Sequence, residues 1–265
     1  MRCLTSARLA AMWSPAALAH AEAARGAAGA ATEAVGALVL AAIWLAYLAG
    51  VRRRRASPRA AACFHAGQLT VLLTAFGPLD RLAADSAALH MTQHMCFMLV
   101  AAPLWVLANP LPQFRALAFG RATGLWRLLA RTGHAPAAWA VVHGVTLWFW
   151  HAPGPYRLAL ADPWWHLFEH ASFLVTAALF WAATLHAYPP ARGAALVAVA
   201  VTLMHTGLLG ALLTLAPFPL YGRGSTEDQQ LAGLLMWGPG GLFYLAAGAW
   251  IALRWFAMRQ APLRG

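Results

Sequence analysis

His90-Met91-Thr92-Gln93-His94-Met95-Cys96-Phe97-Met98-Leu99-Val100-Ala101-Ala102-Pro103-Leu104 is the stretch on which the reading of this chain turns. It belongs to an apolar run over residues 87–107, and about 20 such residues cross a bilayer as a helix. In a helix His90 and His94 stack on one face, with Gln93 beside them. Ionisable groups in a membrane helix are costly unless they face a protein interior, so they mark a functional site. The pattern recurs at His166-Leu167-Phe168-Glu169-His170, and two such pairs ask for one explanation.

Composition agrees with a membrane protein. Of 265 residues 61% are hydrophobic and only 10% charged, with a mean hydropathy of +0.59, too apolar for a soluble domain. The net charge of +11 comes from arginine alone, clustered between apolar runs, which reads as a topology signal and not as a nucleic-acid surface. Cys3, Cys63 and Cys96 are far apart with no CxxC, so neither a disulfide framework nor a thiolate metal site is indicated.

Residues 1–21 read as a secretory signal, with Arg2 and Arg8 before an apolar core and small-x-small sites at 17–21; a disordered tail is the alternative. A short periplasmic segment, 22–32, precedes an all-α membrane domain over 33–256, and 257–265 form a cytoplasmic tail. Seven spans are expected, at 33–51, 60–77, 87–107, 135–150, 164–186, 193–215 and 231–254. Thirteen of the nineteen arginines fall on one side of that arrangement. The positive-inside rule therefore puts the amino terminus outside and the carboxyl terminus in the cytoplasm. All eight acids lie in or beside the external segments, an outer rim attractive to cations.

This topology brings both histidine pairs to similar depth near the outer surface. Arg81-Leu82-Ala83 precedes His90 as Arg157-Leu158-Ala159 precedes His166, Phe97 matches Phe173, and Gln93 matches Glu169, an internal helix-hairpin repeat of period 76. A fainter third copy runs from Arg223 through Asp228 to Ala232 and Met236.

Neutral imidazole and thioether together suit copper. The candidate ligands are His90, His94, His151, His166, His170 and His205, with Met91, Met95 and Met236 as sulfur donors. Gln93 and Glu169 would orient the imidazoles from outside the ligand set. No HExxH motif or phosphate-binding glycine loop is present, and no catalysed reaction is indicated. Two alternatives stay open: a haem-binding electron carrier, and a metal-free scaffold in which the histidines only bond between helices.

The order of motifs resembles one family. His90-Met91-x-Gln93-His94-Met95 with Ala102-Pro103-Leu104, Trp150-His151-x-Pro153, His166-x-x-Glu169-His170, Pro219-Leu220-Tyr221 and Asp228-Gln229-x-x-Ala232-Gly233-x-x-Met236-Trp237 look like the polytopic CtaG family of cytochrome c oxidase assembly factors. The resemblance covers roughly residues 33–256. It implies a multi-pass protein of the bacterial inner membrane that assists copper insertion into a haem-copper oxidase, with oxidase subunits and a periplasmic copper donor as partners. Carried onto this chain, it marks His90, His94, His151, His166 and His170, and makes Asp228, Gln229 and Met236 the outer motif of the last helix. Asp228 thereby joins Gln93 and Glu169 around the ligands.

Overall fold

The computed structural model describes residues 15–118, 123–221 and 224–260. Most of the expected signal segment, 1–14, and the end of the tail, 261–265, lie outside the described residues, while 15–21 open the first helix. All regular structure among the described residues is helical. The helices are α1 (Pro15–Arg53), α2 (Pro58–Ala75), α3 (Pro78–Ala83), α4 (Ala87–Met95), α5 (Ala102–Ala108), α6 (Leu111–Leu117), α7 (Thr123–Ala130), α8 (Pro136–His151), α9 (Pro153–Ala161), α10 (Pro163–Leu185), α11 (Arg192–Leu215) and α12 (Thr226–Gln260).

Five helical stretches are long and apolar enough to cross a membrane: Gly26–Arg53, Ala87–Ala108, Pro163–Leu185, Pro189–Leu215 and Thr226–Ala257. Helices stand at the other two expected spans but do not reach that standard. α8 has 16 residues, short of the usual 20. α2 has 18 and carries Arg59, His65 and Gln68. Large apolar side chains face outward along the bundle, Leu38, Val145, Leu242 and Leu253 among them, each more than 60% exposed. In water such a surface would aggregate; in lipid it is the face a membrane helix presents.

Proline sets the beginnings of the elements. Pro58, Pro78, Pro136, Pro153 and Pro163 each open a helix, where the missing N–H costs nothing. Two of these starts show how the repeat is built. Ser86 caps α4 by accepting from the Leu89 N–H, and Asp162 caps α10 by accepting from the N–H groups of Trp164 and Trp165. Four residues on, the His90 N–H bonds Ser86 O and the His166 N–H bonds Asp162 O, at 3.0 and 3.1 Å. The third copy departs at this point: Asp228, which aligns with those caps, lies inside α12, and Ser225 accepts its N–H instead.

Between α4 and α5 the helix widens for one turn at Cys96–Ala101, so that Ala102 N–H reaches back five residues to Phe97 O. The cause is Pro103, which has no N–H to offer the preceding turn. The Met98 carbonyl, left over, accepts Trp181 Nε1–H from α10 at 2.7 Å. α11 and α12 meet backbone to backbone where Gly210 and Gly233 cross: a Cβ on Gly210 would stand 2.8 Å from Gly233 O. Small residues let membrane helices approach this closely, and that crossing holds the start of α12 over the start of α4.

Candidate metal centre

α4 and α10 bring their histidine pairs face to face. Ring centroids of His90 lie 4.3 Å from His94, 5.5 Å from His166 and 6.3 Å from His170. His94 is 5.1 Å from His170, and His166 is 4.1 Å from His170. Both helices present residues i and i+4 to the same partner, as the spacing requires. Phe97 and Phe173 close the inner side, 4.9 Å from His170 and 4.7 Å from His94. Tyr156 covers His90 and stacks on Tyr221 at 3.7 Å, and Tyr221 Oη donates to the His151 carbonyl.

Glu169 sits in the middle of this set. Ligand atoms of His90, His166 and Glu169 all lie within 4.8 Å of one another, and so do those of His94, Glu169 and His170. Glu169 is 1% exposed, and its Oε2 has no hydrogen-bond partner within the protein. Neither nitrogen of His94 has one, nor does Nε2 of His166 or of His170. Buried polar atoms are nearly always paired. A carboxyl and several imidazole nitrogens left together without partners form a donor set for a cation.

The other predicted residues distribute as follows. Gln93 is fully buried but spends its amide donors on Thr74 O and Asp80 Oδ1, both at 2.8 Å, away from the imidazoles. It ties α4 to α2 and α3. Asp228 caps α4 from the start of α12: it accepts from Ser86 Oγ at 2.7 Å, from the Ala87 N–H, and from the Ala88 N–H at 3.3 Å. A carboxylate there also meets the positive end of the α4 dipole. Gln229 holds the preceding loop, accepting from the Leu220 N–H at 2.7 Å and donating to Phe218 O.

His151, Met91, Met95 and Met236 line a small adjoining cavity with His94, and Met98 joins them there. His205 does not: its ring lies against Gly144 of α8, 3.1 Å from where a Cβ would stand, and close to His143. Met204 faces outward, 72% exposed. His65 is a packing residue that accepts Trp44 Nε1–H at 3.0 Å. A cavity of 920 Å³ lined by Arg54, Trp105, Arg115 and Tyr188 lies at the arginine-rich end, sharing no residue with the imidazole group.

Sequence reasoning missed two features here. Glu169 offers a carboxylate oxygen to both histidine groups instead of only orienting the imidazoles, and its place three residues after His166 on one helix face was the available signal. Met98 extends the Met91 and Met95 stripe by one further turn, visible in the same spacing.

Residues 42–258 match the family model for the cytochrome c oxidase caa3 assembly factor, Caa3_CtaG. The chain belongs to that family. No curated protein and no solved structure matches it. The match contains every residue of the imidazole group and of the adjoining cavity, and family membership makes this a cytochrome c oxidase assembly factor with helices that can span a membrane.

Proposed function

We propose that this caa3-type assembly factor holds copper at the group formed by His90, His94, His166, His170 and Glu169, and delivers it to the oxidase during assembly. The observation that carries the reading is Glu169, buried with Oε2 unpartnered and shared between two histidine groups in which both nitrogens of His94 and Nε2 of His166 and of His170 are likewise unpartnered. Imidazole with carboxylate accepts several first-row metals; the thioethers next door and the family's client favour copper. The ion is cargo, and the protein performs no catalysed reaction in this reading.

The rings leave no flat slot for a porphyrin. Imidazoles packed 4.1 to 6.3 Å apart, with Phe97, Phe173 and Tyr156 against them, fit one ion and not a macrocycle, which counts against the haem alternative. In the proposed topology all seven helices at the expected positions span the bacterial inner membrane, with the amino terminus outside. Asp80, Asp85, Asp162 and Asp228 lie with the histidine end, and the arginines after α1 and α5 lie at the other. Copper then arrives from the periplasm, from a donor protein, and leaves to an oxidase subunit on the same side.

The test is a copper count on purified protein by mass spectrometry after loading and desalting. Wild type should retain copper, and the variant with His90, His94, His166 and His170 all changed to Ala should lose the copper held by that group. Full stoichiometry in that variant overturns the assignment.

A further inference from the structure

The cavity beside the imidazole group has a different chemistry. Met91, Met95, Met98, Met236, His151 and His94 line it, no carboxylate does, and its volume is 20 Å³, room for about one water molecule. His151 Nδ1 lies 2.8 Å from the Leu147 carbonyl. A carbonyl only accepts, so Nδ1 carries the proton, and Nε2 of the neutral ring is a bare lone pair. That lone pair faces the Met91 sulfur at 3.4 Å. A thioether has no hydrogen to give. Two acceptors therefore face each other in a buried place, an arrangement that an electron-pair acceptor between them would satisfy.

We infer that this cavity is a second metal site, selective for Cu(I), in which Met91, Met236 and His151 hold the ion and His94 joins it to the imidazole and carboxylate group. Thioethers with neutral imidazole are the donors that select the cuprous ion, whereas hard or divalent cations want oxygen and compensating charge. With bonds of about 2.0 Å to nitrogen and 2.3 Å to sulfur, ordinary for first-row metals, a 3.4 Å separation subtends about 100° at the ion. That is close to tetrahedral. Met91 is 1% exposed and Met236 8%, so the ion would sit stripped of water. His94, with both nitrogens unpartnered, belongs to the imidazole group and lines this cavity too. Copper passes between the two by exchanging ligands at His94, with no change of oxidation state. The inference rests on the proposed function for the identity of the cargo.

The experiment is an anaerobic Cu(I) titration of the full-length purified protein against the chelator bathocuproine disulfonate, with Ni(II) binding measured in parallel. Ag(I) serves as a redox-inert stand-in for Cu(I), read by NMR of methyl-labelled methionine. The double substitution Met91→Leu with Met236→Leu keeps side-chain volume. It should weaken Cu(I) at least tenfold and leave Ni(II) binding unchanged, while in wild type Ag(I) should shift the Met91 and Met236 methyl signals. His166→Ala with Glu169→Gln should do the reverse, removing Ni(II) and sparing those methyl shifts. Cu(I) affinity unchanged in the methionine variant, or methyl signals unmoved by Ag(I) in wild type, overturns this site alone. Failure of wild type to bind copper in either oxidation state removes the copper reading of both sites together.

Discussion

Replacing Asp228 by Ala tests whether the last helix sets the histidines of α4. The carboxylate receives three donors from the first turn of that helix, Ser86 Oγ and the N–H groups of Ala87 and Ala88. Losing a helix cap costs about 1 kcal/mol, and removing a partly buried charge from a helix N-terminus adds up to about 2 kcal/mol. The sum, roughly 2–3 kcal/mol, should lower Tm by about 5–10 °C for a chain of this size. Asp228→Asn keeps an acceptor and loses the charge, so it should cost less than Ala by the roughly 1 kcal/mol of the retained cap, a Tm about 2–4 °C higher than that of the Ala variant. Thermal unfolding of both variants in one detergent, followed by tryptophan fluorescence, gives the comparison. An Ala variant within about 1 °C of wild type, or an Asn variant as damaged as Ala, would refute the capping account.

Three further substitutions address other joints. Trp181→Phe leaves the Met98 carbonyl buried without a donor, which should cost about 1–3 kcal/mol, seen as a Tm loss without change in the copper count. Gly210→Ala puts a methyl 2.8 Å from the Gly233 carbonyl; the two helices must separate, and size-exclusion profiles should show a reduced folded fraction. Glu169→Gln is isosteric and should leave Tm near wild type; loss of a charged ligand, about 1.5–3 kcal/mol, should weaken copper roughly 10- to 100-fold, as measured by chelator competition.

The positions of the helices were legible because apolar runs of membrane length are written directly in the sequence, and the histidine pairs because i,i+4 spacing needs no tertiary knowledge. Gln93 and Glu169 show where that legibility stops. Each stands three residues after the first histidine of its pair, yet Glu169 turns into the imidazole group and Gln93 turns to Thr74 and Asp80. Spacing allows both outcomes, and the neighbour on the far side decides. Asp228 was visible as part of a motif, but its use as a cap 140 residues away depends on how α11 and α12 cross. His205 shared its helix type and approximate depth with the ligands; only the packing of α8 against α11 puts it beside Gly144 and His143. The two expected spans outside the five apolar stretches, α2 and α8, are short or interrupted by polar residues, which blurs a rule based on length and hydropathy.

The widened turn at Cys96–Ala101 sets the phase between two halves of one rod. It contains one residue more than a regular helix needs over the same rise, and each residue turns a helix by about 100°. Deleting one residue there would restore regular winding with the two halves still in phase, whereas deleting a second would swing His90 and His94 by about 100° relative to Ala102–Ala108. Point substitution cannot mimic that error. Among natural variants of this protein, the segment between His94 and Pro103 should therefore vary by no more than that one residue even where its letters drift.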